Sequence, residues 1–256
     1  MFAWVGRAVI NLLQFLGATF ILNNRVLAGI LRGRVEYQTT VTQIAHVGVN
    51  SLPIVTVTML FSGMVFAYHT ATRASMMGVG SLVGWLVAET MCREIGPVFT
   101  SIVISARAGS AMTAELGTMK VTEQIDALRA IAVNPIHYLV VPRYLACLVM
   151  VPIMVLIGDT IGVLGGYLLG VFVPQINQQA YLANIPGRLE LWTVSAGIIK
   201  AVAFAIIIAI VSCYEGLSCK MASVEVGKAT TRSVVYCIML IFAANFILTM
   251  ILYRAS

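Results

Sequence analysis

Three charged side chains stand inside strongly apolar stretches of this sequence, where they could bind a phosphate group. Lys200 lies near the middle of "LWTVSAGIIKAVAFAIIIAIVSC", and Arg93 and Glu94 precede Gly96 and Pro97 in "SLVGWLVAETMCREIGPVFTSIVISARAGSAM". A charge at bilayer depth is costly unless it meets water, an opposite charge or phosphate, and the planar guanidinium of arginine fits phosphate well. We therefore predict that Arg93, Glu94 and Lys200 line a polar cavity, with phosphate or Glu94 as the partner of Lys200.

A simpler interpretation of the same charges stays open. Arg93 and Glu94 could lie near the outer interface of a membrane, and the long stem of Lys200 could carry its ammonium group to the headgroup region. Asp159, in another apolar stretch, is a further buried charge for which a structural hydrogen bond is as reasonable as a functional role. The contacts and burial of these side chains in the structure decide between the two interpretations.

The sequence carries no pattern typical of catalysis or of metal binding. The five cysteines have no CxxC spacing, the three histidines are scattered, and no nucleophile motif includes the serines. The phosphate-binding motif G-x-x-x-x-G-K-[ST] is absent, since the nearest fragment, "GKA" at residues 227–229, lacks the hydroxyl and the upstream glycine. We expect no enzyme, no metal and no cofactor in this chain, so that any ATP hydrolysis must come from another polypeptide.

The composition predicts an all-α polytopic membrane protein. Of the 256 residues, 60% are hydrophobic and 10% are charged, whereas soluble domains carry about a quarter charged residues. The net charge of +6 is scattered rather than clustered, so nucleic-acid binding is not expected. A helix of about 20 apolar residues crosses the bilayer core. We predict five spans, at residues 48–72, 80–112, 142–173, 191–214 and 232–254.

Two of these spans are unusual. The stretch 80–112 contains three neighbouring charges, so a surface helix is the alternative to a span that buries them against protein or water. The apolar run 136–173 is too long for one upright span, and we expect its first part to follow the membrane surface before it turns in at Pro142 or Pro152.

Residues 1–34 predict an amphipathic helix that lies in the membrane interface. Arg7, Asn11, Gln14 and Ala18 follow the spacing i, i+4, i+7, i+11 and form a narrow polar stripe on an otherwise apolar helix. A sixth span is the alternative. Most Lys and Arg residues fall in this segment and in the second-to-third and fourth-to-fifth connections, so the positive-inside rule places the N-terminus in the cytoplasm and the C-terminus outside.

The stretch "AELGTMKVTEQIDALRAIAVNP" connects the second and third predicted spans. It predicts a helix of about three turns over residues 119–133, ended by "NP", because the residue before proline leaves the α region. Asp126 and Arg129 suit an i, i+3 ion pair. The predicted apolar face comprises Val121, Ile125, Leu128 and Ala132, and the candidate partner-binding residues are Lys120, Glu123, Gln124, Asp126, Leu128 and Arg129. Such a helix either rests on the membrane surface as a connector or docks into a groove of a soluble partner.

Four glycines in the third predicted span recur at every fourth position. Gly158, Gly162, Gly166 and Gly170 form one continuous stripe on a helix face. Small residues at this spacing let another helix approach closely. The stripe predicts a packing surface, either within one subunit or across a dimer.

The stretch "REIGPVFTSIVISARAGSAMTAELGTMKVTEQIDALRAIAVNP", residues 93–135, resembles the signature region of the MlaE/YrbE family of ABC-transporter permeases. These are the membrane subunits of bacterial phospholipid-trafficking systems, with relatives in chloroplasts. The similarity extends over nearly the whole chain, including "PRYLACLVMVPIM". It implies an interfacial helix followed by five transmembrane helices, with residues 35–256 as the permease domain of a homodimer. It also implies that residues 119–133 form a coupling helix that contacts an ATPase, and it favours the polar cavity.

The resemblance further implies a function and partners. The family's permeases move phospholipids between the bacterial inner membrane and a periplasmic carrier, which maintains outer-membrane lipid asymmetry. The implied partners are an ATPase that binds ATP and Mg, a periplasmic MCE-domain substrate-binding protein and a small cytoplasmic accessory protein. Two other classes stay open. A proton-coupled secondary transporter would use Glu89, Glu94, Asp159 and Lys200, but it predicts internal repeats that the sequence lacks; a purely structural assembly subunit would not need these charges.

Overall fold

The computed structural model describes residues 2–31, 36–172, 181 and 185–254, which form helices and no strand. The α-helices are α1 (Phe2–Leu31), α2 (Tyr37–Val47), α3 (Leu52–Met76), α4 (Val83–Thr90), α5 (Gly96–Ile104), α6 (Ser110–Val121), α7 (Gln124–Ala130), α8 (Val141–Phe172), α9 (Leu191–Leu217) and α10 (Ser223–Leu252). Short π-helical turns over Met91–Ile95, Ser105–Gly109 and Ile136–Val140 lead directly into α5, α6 and α8.

Five helical stretches in the described part of the chain are long and apolar enough to cross a membrane. They are Tyr37–Met76, Gly80–Val121, Ile136–Phe172, Leu191–Leu217 and Ser223–Leu252. The predicted all-α polytopic fold with five spans is therefore confirmed, and the charged stretch is one of the five. Each helical stretch is longer than its predicted span, because the helices continue beyond their most apolar residues. The helix α1 is not among the five, and its interfacial position stays a prediction.

The third span does not turn at either proline. Pro142 directly follows the first residue of α8, and the π turn Ile136–Val140 precedes it without a break in the helical stretch. Pro152 lies inside α8, and the helix continues through it; packing against neighbouring helices makes such a proline tolerable within a membrane. The expected surface segment with a turn at Pro142 or Pro152 is therefore corrected to one continuous helical stretch, Ile136–Phe172.

The helix α8 lies at the centre of the bundle, where it packs against α2, α3, α4, α5 and α9. Its glycine stripe makes this packing possible. A Cβ on Gly63 of α3 would overlap the carbonyl oxygen of Gly162, and a Cβ on Gly166 would lie 2.8 Å from a Val87 methyl group. Gly158 faces Thr100, and Gly170 faces the ring of Tyr181. The four glycines of the stripe thus contact residues of the same chain.

The region between the second and third spans is not the single helix predicted over residues 119–133. The helix α6 ends at Val121, and Glu123 turns the chain with φ 58° before α7 begins. This left-handed conformation is uncommon for a residue other than glycine. The prediction is therefore corrected to a helix end, a turn and a two-turn helix, because the left-handed Glu123 interrupts the predicted helix.

The helix α7 also ends earlier than its flanking proline suggests. Ala132 is left-handed, with φ 59°, and the backbone N–H of Val133 donates to the carbonyl of Leu128. This is the hydrogen-bond pattern of a Schellman motif, which satisfies the last carbonyls of a helix. The side chain of Asn134 instead accepts from the N–H of Ile136 at 3.0 Å, so "NP" begins the next helical turn. Ala132 is exposed and does not belong to the apolar face.

Candidate functional site

Lys200 is fully buried in the middle of α9, and the protein supplies all of its hydrogen-bond partners. Its ammonium group lies 2.9 Å from a carboxylate oxygen of Glu94 and donates to the backbone carbonyl of Arg93 at 3.0 Å. A third donor reaches the hydroxyl of Thr249 at 2.8 Å. An ammonium group has three donors, and all three are used here. The predicted partner Glu94 is therefore found beside Lys200, but Lys200 itself faces no open cavity.

A local break in the second span explains why a backbone carbonyl is available to Lys200. The residues before α5 form a π turn over Met91–Ile95, and the N–H of Gly96 bonds the carbonyl of Met91. Pro97 has no N–H to donate to the carbonyl of Arg93 four residues earlier. Lys200 takes the place of that missing donor. The carbonyl left free by the break in the second span therefore accepts a hydrogen bond from the buried lysine of the fourth span.

Glu94 is held from a second side by the last turns of α10. The amide of Asn245 donates to one carboxylate oxygen at 2.9 Å. The hydroxyl of Thr249 lies 3.1 Å from the other oxygen and also accepts from Lys200. The Glu94 side chain keeps 32% of its surface exposed, so it lies at the edge of the cluster. We call the four residues that join the second, fourth and fifth spans the buried polar cluster. They are Glu94, Lys200, Asn245 and Thr249.

Sequence reasoning did not identify Asn245 and Thr249 as part of this site. They stand four residues apart in an otherwise apolar helix, which places both side chains on one face. That spacing is the signal that could have revealed them, because two polar groups on one face of a membrane helix need partners.

Arg93 points to the other side of the break, into a small cavity. Its guanidinium lies 3.3 Å from a carboxylate oxygen of Glu89 and 3.5 Å from the ring centre of Tyr253. The cavity has a volume of about 220 Å³ and is also lined by Trp85 and Arg188. The structure thus brings Arg93, Glu94 and Lys200 together but gives them different surroundings, since Arg93 lines a cavity and Lys200 is enclosed by protein.

Asp159 is buried beside the same break. It belongs to α8, and one of its carboxylate oxygens packs against Gly96. That oxygen accepts no hydrogen bond from any residue that the structure describes. Asp159 therefore contacts the break in the second span without joining the polar cluster.

The six candidate partner-binding residues lie around the turn that separates α6 from α7. Asp126 pairs with Arg129 at 2.8 Å, as the spacing predicts, and lies 4.0 Å from Lys120. Glu123 and Gln124 are exposed, and Leu128 is half-buried next to the buried Ile125. The segment is anchored by its apolar side and presents charges of both signs on its exposed side.

Comparison with known proteins identifies a family for this chain. The family model described as "Permease MlaE" matches residues 40–251. A probable ABC transporter permease protein of Rickettsia typhi is 37% identical over 250 residues, which are 98% of this chain and 96% of the relative. The intermembrane phospholipid transport system permease protein MlaE of Haemophilus influenzae is 32% identical over 98% of this chain and 97% of its own. The chloroplastic protein TRIGALACTOSYLDIACYLGLYCEROL 1 of Arabidopsis thaliana is 33% identical over 92% of this chain and 67% of its own.

Proposed function

The chain belongs to the MlaE permease family, and from this premise we propose that it is the membrane subunit of an ABC transporter for phospholipids. It would move phospholipids between the inner membrane and a periplasmic carrier and so maintain outer-membrane lipid asymmetry. The name of the Haemophilus relative, an intermembrane phospholipid transport system permease protein, supports the substrate class. The absence of a phosphate-binding motif from the sequence supports the role of a subunit that depends on a separate ATPase.

The observation that carries this proposal is the charged cavity beside the start of α9 and the end of α10. Arg93 lines a space of about 220 Å³ at the break in the second span, together with Glu89 and Arg188. Guanidinium groups bind phosphate through two parallel hydrogen bonds. Arg93 would therefore contact the lipid phosphate. Lys200 would act as a positioning residue, since it holds Glu94 and the broken helix in place from behind.

The proposed orientation places the N-terminus and α7 in the cytoplasm and the C-terminus in the periplasm. The asymmetry of Lys and Arg supports this orientation. The segment of residues 119–133 would contact the ATPase, and ATP and Mg would bind to that partner. We further propose a homodimer that works with a periplasmic MCE-domain protein and a small cytoplasmic accessory protein, on the basis of the family membership alone.

A complementation assay tests the role of the cavity. A strain that lacks its own permease would receive this chain or the Arg93→Gln variant, and phospholipid exposed on the outer surface of the outer membrane would be quantified. We expect the unaltered chain to restore asymmetry and the variant to fail. Arg73→Gln is the matched control, since Arg73 is exposed at the end of α3 and far in sequence from the cavity residues. Full activity of Arg93→Gln at normal protein abundance would contradict the proposed role.

The same assay distinguishes an ABC permease from a proton-coupled transporter. Cells that lack the partner ATPase would be compared with cells that contain a form of it unable to hydrolyse ATP. We expect no restoration in either strain. Restoration without the ATPase would overturn the proposal in favour of a secondary transporter.

A further inference from the structure

A second and larger cavity lies between α1 and the bundle, next to the end of α7. Its volume is about 670 Å³. One wall is α1, another is the connection from α7 to α8, and the third is the end of α9. Neither the buried polar cluster nor Arg93 contributes to it. The cavity is therefore distinct from the site proposed for transport.

The ionisable side chains that line this cavity are all basic. Arg25 of α1, Arg129 of α7 and His137 at the start of the third span line it, and no carboxylate of the described residues does. Arg25 forms no ion pair with any residue that the structure describes. Arg129 bonds Asp126 through one terminal nitrogen only. Two arginines from different elements thus converge on one space with donors that a phosphate could accept.

Most of the remaining residues that line the cavity are apolar. They include Ile21 and Leu22 of α1, and Ile136 and Leu217. Ile21 is exposed, although the adjacent Leu22 is buried against the bundle. A space with basic groups beside an apolar wall matches a molecule that carries a phosphate and a hydrocarbon chain. Free phosphate would use the arginines but not the apolar wall.

The docking of α1 depends on few close contacts around this cavity. Phe15 packs edge-on against Tyr214 with ring centres 5.5 Å apart, and Val26 is fully buried. Gly29 allows α1 to approach His137, because a Cβ at this position would overlap the imidazole ring. The Nδ1 atom of His137 is buried there with no hydrogen-bond partner among the described residues. A molecule in the cavity would contact both α1 and the connection that follows α7.

We propose that this cavity binds one anionic phospholipid from the surrounding leaflet, with its phosphate between Arg25 and Arg129 and an acyl chain along Ile21 and Leu217. The bound lipid joins α1 to the segment next to α7. A lipid with net negative charge is favoured over a zwitterionic one, because two arginines and no lining carboxylate surround the headgroup. The inference concerns a bound lipid that stays in place, and it does not depend on the transport of phospholipid through the other cavity.

Native mass spectrometry of the full chain in mild detergent tests this assignment. Delipidated protein would be titrated with dioleoyl phosphatidylglycerol, with dioleoyl phosphatidylcholine or with inorganic phosphate. We expect one tight site for phosphatidylglycerol, weaker binding of phosphatidylcholine and no binding of phosphate. The loss of one arginine should weaken phosphatidylglycerol binding about fivefold, and Arg25→Gln with Arg129→Gln about thirtyfold.

Three further variants make the result decisive. Arg25→Lys with Arg129→Lys keeps both charges and should retain most of the affinity, which controls for folding. Arg73→Gln removes an exposed arginine elsewhere and should leave the affinity unchanged. Arg93→Gln removes the arginine of the other cavity and should also leave the tight site intact, so that a lipid bound for transport is not mistaken for this one. Any one of three results would overturn the proposal. They are an equal affinity for both lipids, tight binding of inorganic phosphate alone, and an unchanged affinity for phosphatidylglycerol in the protein that carries both Arg25→Gln and Arg129→Gln.

Discussion

Two groups of charged residues in this chain have the same chemistry in opposite settings. In the buried polar cluster, Lys200 has no exposed surface and bonds three oxygen atoms of the protein. In α7, Asp126 and Arg129 pair at 2.8 Å with 40% and 58% of their side chains exposed. Loss of one partner from a buried pair leaves an uncompensated charge, whereas water replaces the partner in an exposed pair. The comparison indicates that the first group holds helices together and that the second contributes little to the stability of the bundle.

The largest effect should follow from removal of the buried ammonium group. Lys200→Met leaves Glu94 without its cation and the carbonyl of Arg93 without a donor. We expect a loss of about 3–5 kcal/mol in the free energy of unfolding, the range found when one partner of a buried ion pair is removed. Denaturant titration of the purified protein in mild detergent measures this loss.

The control for this variant removes both charges at once. Glu94→Gln with Lys200→Met leaves no unpaired charge, and the double variant should be more stable than Lys200→Met alone. If Lys200→Met were as stable as the unaltered chain, the cluster would not hold the fold and the contrast between the two groups would disappear.

An intermediate effect is expected at the start of the third span. Arg143 is buried and bonds a carboxylate oxygen of Glu115 at 2.7 Å and the carbonyl of Leu139 at 2.8 Å. Glu115 is about as exposed as Glu94, with 38% against 32% of the side chain, but the carbonyl of Leu139 is not opposite a proline and can keep a helical donor when Arg143 is lost. Arg143→Met should therefore cost about 2–3 kcal/mol, the range for hydrogen bonds to charged groups. Glu115→Gln leaves the buried Arg143 without an anion and should cost at least as much in the same titration; a clearly smaller cost would show that an unpaired buried charge does not determine the effect.

A smaller effect should result from a neutral member of the cluster. Thr249→Val removes a hydroxyl that accepts from Lys200 and donates to Glu94. We expect a loss of about 1–2 kcal/mol in the free energy of unfolding, because both ions keep their other partners. Thr160→Val is the matched control, since the exposed hydroxyl of Thr160 bonds only a carbonyl of its own helix. Equal losses for the two threonine variants would mean that Thr249 adds nothing to the cluster.

The smallest effect on stability is expected in the exposed segment. Asp126→Asn breaks the pair with Arg129, and we expect a change of about 0.5 kcal/mol or less, as for other exposed ion pairs. The same titration in detergent measures it. A loss as large as that of Lys200→Met would show that the segment stabilises the bundle and is not free to bind a partner.

The sequence predicts the spans well because their signal is local. Long apolar runs determine which segments are helical in a membrane, and even the charged second span follows from its apolar flanks. Glu94 is one of the two partners that the sequence predicts for Lys200, since a buried lysine needs an oxygen ligand. The contribution of Asn245 and Thr249 depends on how the fifth span is rotated against the second, which no local pattern specifies.

The segment between the second and third spans shows where local patterns are insufficient. Its apolar periodicity predicted one helix, but Glu123 adopts a left-handed conformation that sequence propensity does not favour at glutamate. The anchoring of Ile125 in the bundle and the Schellman motif at Ala132 fix two short elements instead. The π turn before Pro97 also depends on tertiary contacts. The sequence shows the proline, but the hydrogen bond from Lys200 that replaces the missing backbone donor comes from a neighbouring helix.

The most direct test of the account is whether the exposed segment binds an ATPase. Tagged protein would be purified from native membranes in mild detergent, and mass spectrometry would identify the proteins and lipids bound to it. A second sample would carry Glu123→Lys and Asp126→Lys, and a third would carry Glu225→Lys, which reverses a charge in another ion pair on α10. The account predicts phospholipid in all three samples and an ATPase in the first and third only. Absence of an ATPase from every sample, or its retention by the Glu123→Lys, Asp126→Lys protein, would contradict the proposed role of this segment.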